Sequence, residues 1–106
     1  MKNLNEIMQK AKELQKKMEE LDIELTNARV EGESSGGAVK AIVSGKLDLV
    51  SLDIAKELIN QEDKEILEDM IVAAIREAQE KARKIAQEKL SSLGLAGEFP
   101  SLGLMN

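Results

Sequence analysis

The feature that most restricts the fold is a helical pattern too long for a compact domain. From about residue 61 to about 93 no Gly or Pro interrupts the chain, and a helix of that length is roughly 50 Å long. A compact domain of about 100 residues has a radius of gyration near 13 Å, equivalent to a sphere only about 34 Å across. The helix must therefore project from whatever body the rest of the 106 residues forms. Asn60 is placed to cap its start. Glu62, Asp63 and Glu65 fall in the first turns, where negative charge meets the positive end of the helix dipole. Its first half is apolar nearly all round (Ile66, Leu67, Met70, Ile71, Val72, Ala73, Ala74, Ile75), which predicts burial. Its second half keeps only the thin stripe Ala78, Ala82, Ile85 and Ala86.

A second helix is predicted over about 4–27. Leu4, Ile7, Ala11, Leu14, Met18, Leu21, Leu25 and Ala28 recur at alternating gaps of three and four, a heptad seam. Asn3 followed by Glu6 three residues later resembles a capping box with Asn in place of Ser or Thr. A stripe this narrow suits packing along another helix better than lying across a sheet.

Between the helices, residues about 28–54 change period. Val30 alternates with Arg29 and Glu31, then Gly32, Ser34, Ser35, Gly36 and Gly37 form a turn-rich cluster. Val39, Ala41 and Val43 define a second strand. Leu47 and Leu49 begin a third, whose phase slips by one residue before Val50, Leu52 and Ile54, as a bulge would produce. The expected class is α+β: long helix, small three-stranded antiparallel sheet, long helix. Gly94 is a natural stop, so 1–94 reads as one domain and 95–106, with Gly97, Pro100 and Gly103, as a flexible tail.

A short antiparallel sheet would return the chain so that the two helices run antiparallel and zip into an arm. The sheet would still have open faces, and the apolar half of the second helix asks for more cover than one chain supplies. A homodimer is expected, with Leu67, Met70, Ile71, Ala74 and Ile75 as core and dimer contacts.

Charge is unevenly distributed. Residues 9–18 carry Lys10, Lys12, Lys16 and Lys17 against Glu13 alone, and residues 76–89 carry Arg76, Lys81, Arg83, Lys84 and Lys89 against three glutamates. Residues 19–33 and 57–69 each hold six acids against one base. Antiparallel packing would bring the basic segments together toward the free tip and gather acids near the root. That arrangement suits gripping a polyanion, although charges on exposed helix faces ordinarily serve solubility and weak i,i+4 pairing.

Composition removes other functions. With no Cys and no His, thiolate and imidazole metal sites, disulfides and triad nucleophiles are absent from the chemistry available. The single aromatic, Phe99, cannot build a base-stacking platform for single strands. Met1 to Glu6 put a carboxylate where a secretory signal needs an apolar run, and no stretch approaches a membrane span. A cytoplasmic protein that needs no cofactor, metal or membrane is expected. The Gly and Ser cluster lacks a phosphate-loop pattern. Asp63, Glu65, Glu68 and Asp69 read as dipole-complementing residues rather than cation ligands. Met8, Met18 and Met70 read as packing residues, and Ser34 and Ser35 have no evident base.

Three stretches together carry a resemblance. Met8-Gln9-Lys10-Ala11 and Gln15-Lys16-Lys17-Met18 lie in the first helix, and Val30-Glu31-Gly32-Glu33-Ser34 with Gly36-Gly37 and Val39-Lys40 in the sheet. Asp63-Lys64-Glu65-Ile66-Leu67-Glu68-Asp69-Met70-Ile71-Val72-Ala73-Ala74 opens the last helix. In this order and spacing they resemble the YbaB/EbfC family of bacterial nucleoid-associated proteins, over nearly the whole chain to about Gly94. The resemblance implies a tweezer-like homodimer that binds double-stranded DNA in the nucleoid with little sequence preference, through its helical arms and without catalysis. The implied contact region coincides with the basic segments, so Lys10, Lys12, Lys16, Lys17, Arg76, Lys81, Arg83, Lys84 and Lys89 are the candidate DNA-binding residues. A net charge of -5 weakens any encounter driven by overall charge and makes affinity salt-sensitive.

The competing reading is a prefoldin-like chaperone or a protein-protein adaptor using coiled-coil arms. Client-holding arms expose apolar tips, whereas the predicted tips carry lysines. The apolar tail at 95–106 is a second candidate surface, for docking on the dimer or on a protein partner.

Overall fold

Asn3 begins the first helix as its sequence context requires: its Oδ1 accepts the Glu6 backbone N–H at 2.8 Å. In a computed structural model, which describes residues 3–94, helix α1 spans Leu4–Asn27. Strands β1 (Arg29–Ser34), β2 (Val39–Ser44) and β3 (Leu49–Ile54) follow, then short 3-10 turns at Lys56–Leu58 and Gln61–Asp63, and helix α2 spans Lys64–Ser92. Asn60 accepts the Glu62 N–H at 2.9 Å and so caps the 3-10 turn that leads into α2. The tail expected at 95–106 lies outside the described residues.

The sheet is antiparallel in the order β1-β2-β3. The phase slip in the third strand is a bulge: Ile42 pairs with Ser51 and Val43 with Leu49, which leaves Val50 as the extra residue. The first hairpin turns at Ser35, Gly36 and Gly37, all at positive φ. Gly32, grouped with that turn by composition, instead sits within β1 opposite Ala41. A Cβ there would lie 2.2 Å from the Ala78 backbone nitrogen and 2.5 Å from the Ala74 carbonyl oxygen. Gly32 is the point at which α2 lies almost directly on the sheet.

The core follows from that approach. Ala74, Ala78 and Ala82, spaced by four and so sharing one helix face, are fully buried against Val30, Val39, Ala41 and Val43. Leu67, Met70, Ile71 and Ile75 are half-buried around this cluster. The expectation that the first half of α2 is the buried half is corrected: every buried residue of α2 falls at Ala74 or later, while Ile66 and Val72 are exposed. A three-stranded sheet cannot enclose a segment that is apolar on all sides.

Beyond the sheet, α2 continues beside α1. Leu21 and Leu90 are buried together, with Leu14, Leu25 and Leu93 packed around them. The root of α1 is fixed to the β2–β3 turn, where the Gly45 N–H donates to the Leu25 carbonyl at 2.8 Å. Ser44, buried in that turn, accepts from the backbone N–H groups of Lys46 and Asp48. The helical zip is shorter than the heptad seam predicts. Leu14, Leu21 and Leu25 are covered, whereas Leu4 is 70% and Ile7 53% exposed. The reason is length: α2 stops at Ser92, alongside the middle of α1. The molecule measures 71 × 22 × 17 Å with a Cα radius of gyration of 19.1 Å, and α2 supplies only about 43 Å of the long axis.

Candidate nucleic-acid interface

The outer half of α1 is an overhang that carries lysines on two sides. Lys10 and Lys17, seven residues apart, share a stripe beside the apolar seam; Lys12 and Lys16, four apart, share the stripe opposite it. All four are exposed and none forms a salt bridge with a described residue. Lys17 borders a depression shared with Glu20, Leu21, Glu24, Lys89, Ser92 and Leu93, so this is where the two basic segments meet. Lys10 stands a further seven residues out, about 10 Å beyond that level.

The cations of α2 are placed differently. Lys89 pairs with Glu24 of α1, and Arg83 pairs with Glu80 at 2.9 Å. Lys81 lies 3.4 Å from Glu77 and donates to the Glu31 carbonyl at 3.3 Å, which puts it against β1. Arg76 precedes it on the same part of the helix. The expectation that all of 76–89 belongs to the arm tip is therefore corrected. Arg76 and Lys81 are at the level of the sheet because the alanine face of α2 holds that stretch against β1 and β2. Lys84 is exposed and without a salt bridge to a described residue. Counting charge by segment could not separate these groups; the four-residue spacing of Ala74, Ala78 and Ala82 was the available signal.

Two carboxylate contacts organise the root. Lys46 Nζ donates to Asp22 at 2.7 Å, and this hydrogen bond together with the Asp22 charge raises the lysine above its ordinary value. Glu77 accepts the Glu33 backbone N–H at 2.9 Å; that bond, followed by the one with Lys81, holds its carboxyl below the ordinary glutamate value. Lys46 escapes the sequence-derived set because nothing in its local context reveals that a turn reaches back to α1. At the opposite end of the molecule, Asp63, Glu65, Glu68 and Asp69 are exposed on the start of α2. Positive and negative surface are thus separated along the long axis.

A second surface is apolar. In the β2–β3 ladder, Leu52 lies opposite Ala41 and Leu49 opposite Val43, so both point to the face on which α2 rests. That helix covers β1 and β2 but leaves β3 open. Gln79 Nε2 donates to the Leu47 carbonyl at 3.2 Å, which turns the stripe Val72, Ile75 and Gln79 toward this side. Leu52 is 38% and Val72 44% exposed, so apolar side chains of β3 and of this stripe are left open. The sequence-derived core and dimer set contains Ile75 but leaves out Leu49 and Leu52, although the phase slip in the third strand already puts both on its apolar phase. Among the described residues, no group of His, Cys, Asp or Glu is arranged to hold a metal ion, and no helix is long and apolar enough to cross a membrane.

Comparison with known proteins gives a consistent result. Residues 1–97 match the sequence profile of the YbaB/EbfC DNA-binding family. A nucleoid-associated protein of Dictyoglomus thermophilum is 42% identical over 93 residues, covering 88% of this chain and 89% of its own. One from Hahella chejuensis is 40% identical over 91 residues, covering 86% and 83%. One from Pelotomaculum thermopropionicum is 37% identical over 100 residues, covering 94% and 95%. The crystal structure of the uncharacterized protein HP0035 from Helicobacter pylori superposes with a TM-score of 0.77 at 18% identity, covering 88% of this chain and 98% of that one. At that identity the likeness concerns the fold alone.

Proposed function

Because the chain belongs to the YbaB/EbfC DNA-binding family across residues 1–97, we propose that it is a non-enzymatic nucleoid-associated protein that binds double-stranded DNA with little sequence preference. Its place would be the nucleoid, in the cytoplasm, as the names of its relatives indicate for them. The observation that carries the reading is the overhang of α1, where Lys10, Lys12, Lys16 and Lys17 stand clear of carboxylate partners at the end remote from the acidic start of α2. Lysine meets phosphate as a mobile point charge, which positions a duplex without reading its bases. Lys89, beside Lys17, extends the contact onto α2, and Arg83 and Lys84 continue it toward the sheet. The weak exposed pairs of Arg83 and Lys89 are easily exchanged for phosphate. Arg76 and Lys81, set against the sheet, are secondary candidates.

The functional unit is a homodimer in which a second copy covers the open apolar residues of β3 and of the Val72–Ile75 stripe. Two arms on one body give the duplex two sets of phosphate contacts and raise the effective affinity of each, which offsets the net charge of -5. A chaperone-like role draws on the exposed Leu4, Ile7 and Met8, but the family description favours DNA. The test is duplex titration at several salt concentrations. Replacing Lys16 and Lys17 by Glu weakens binding to unrelated sequences alike and flattens the salt dependence by about one unit of slope for each phosphate no longer neutralised. Unchanged affinity with an unchanged slope overturns the assignment, and suppression of client aggregation without duplex binding supports the chaperone reading instead.

A further inference from the structure

The two ends of the molecule carry apolar patches in opposite electrostatic surroundings. At the tip of α1, Leu4, Ile7 and Met8 are 70%, 53% and 50% exposed. Lys10, three residues past Ile7, and Lys12, four past Met8, flank this patch, while Glu6 and Glu13 share a stripe turned away from it. At the start of α2 lies an open groove of about 130 Å³, lined by apolar Leu58, Ile66, Leu67 and Met70 and by the exposed carboxylates of Glu57 and Asp63. An apolar cavity of about 150 Å³ admits a benzene ring, so the groove has room for an aliphatic side chain. Neither Glu57 nor Asp63 forms a salt bridge with a described residue. Met70 and Glu77, seven residues apart, share a stripe of α2, and Glu77 reaches Glu33 of β1. The groove is thus on the β1 flank of the helix, away from β3 and the Val72–Ile75 stripe.

We propose that the α1 tip of one copy docks in this groove of a second copy, with Ile7 and Met8 against Ile66 and Met70 and with Lys10 and Lys12 beside the carboxylates of Glu57 and Asp63. Charge selects the occupant. Residues 9–18 carry four lysines against one glutamate, and residues 57–69 six acids against one lysine, so two tips repel each other while tip and groove attract. Apolar burial supplies the short-range part of the contact. Tip and groove stand at opposite ends of a molecule 71 Å long, too far apart to meet within one chain. The contact is therefore heterologous: it leaves a tip free at one end and a groove at the other, and copies add head to tail. Lys10 and Lys12 also belong to the proposed phosphate contact, where a duplex and a second copy exclude one another. That consequence rests on the DNA reading; the contact itself does not.

The test is sedimentation velocity of the full chain without nucleic acid, at an ionic strength of about 0.01 M, where the screening length is about 30 Å, and at about 1 M, where it is about 3 Å. At low ionic strength the sedimentation coefficient is expected to keep rising with concentration past any dimer plateau, and at high ionic strength it is not. Lys10→Glu with Lys12→Glu raises the dissociation constant of this step about tenfold or more, and Glu57→Lys with Asp63→Lys does the same. Mixing the two variants restores the step, because each then offers the end that the other lacks. Ile7→Ser, which changes no charge, weakens it about tenfold. All five positions are exposed and the Asp63 side chain makes no capping hydrogen bond, so the variants keep their fold, which far-ultraviolet circular dichroism verifies. Leu52→Asp, aimed at the proposed dimer, leaves the step in place, so failure of that dimer is read separately. Absence of the step in the parent overturns the proposal. So does a step that survives reversal of Glu57 and Asp63, which marks a tip-to-tip contact, and so does a mixture of the two reversed variants that fails to associate.

Discussion

The two ends of α1 are built from one heptad pattern and have opposite fates. At its root, Leu21 and Leu25 are packed, Asp22 is tied to Lys46 and Glu24 to Lys89, and the Gly45 N–H holds the Leu25 carbonyl. At its outer end, Leu4, Ile7 and Met8 face outward and the lysines have no carboxylate partners among the described residues. The difference shows that periodicity states what a helix can bury and leaves open how much of it will be met. Coverage is set by where the partner helix stops. Stability is therefore concentrated at the sheet and root, while the charge suited to a polyanion is carried where little else depends on it.

The sharpest way to break this comparison is to change one residue on each side of it. Gly32→Val forces a side chain into the space of the Ala74 and Ala78 backbone, where no flexible neighbour can yield. The expected loss is about 3 kcal/mol of unfolding free energy. Lys12→Ala on the overhang is expected to stay within about 0.5 kcal/mol of the parent. Urea denaturation measures both. A Gly32→Val protein as stable as the parent would mean that α2 does not rest on β1 as closely as described.

The next effect concerns assembly. Leu52→Asp places a carboxylate among the open apolar residues of β3, at a site exposed in one chain. Folding of the protomer should be little affected, while the dissociation constant of the proposed dimer rises about a hundredfold or more, because a second copy seated there would desolvate the charge. Sedimentation at a series of concentrations gives the answer. A variant that sediments as the parent does would place the interface elsewhere.

Much of this is legible in the sequence, for identifiable reasons. The bounds of α1 follow from Asn3, from the unbroken seam and from the turn residues after it, all of them local signals. The bulge in β3 is visible as a change of phase between Leu49 and Val50. What cannot be read is tertiary. Gly32 carries the same local signature as Gly36 and Gly37, and only the approach of α2 distinguishes a glycine that admits a helix from one that makes a turn. The same holds for the candidate interface. Lys81 and Lys10 look alike in a charge count, but Lys81 flanks the alanine face that holds its stretch of α2 against the sheet and so reaches β1. Composition predicts burial for the apolar half of α2 because it states a need, and a single copy of the sheet does not meet it.

The smallest effect sharpens the comparison through pH. Glu77 accepts the Glu33 N–H and lies beside Lys81, which lowers its carboxyl below the ordinary value of 4.5. As pH falls, the unfolded chain takes up this proton before the folded one does. The contribution is therefore complete above the ordinary value and is lost as pH falls through the lowered value of the folded state. Glu77→Gln keeps an acceptor oxygen without the titrating charge, so its unfolding midpoint should decline less steeply than that of the parent across this acid range. Lys12→Ala should follow the parent curve, since no described carboxylate is paired with that lysine. Parallel curves for the parent and Glu77→Gln would show that the β1–α2 contact at Glu33 does not depend on the charge of Glu77.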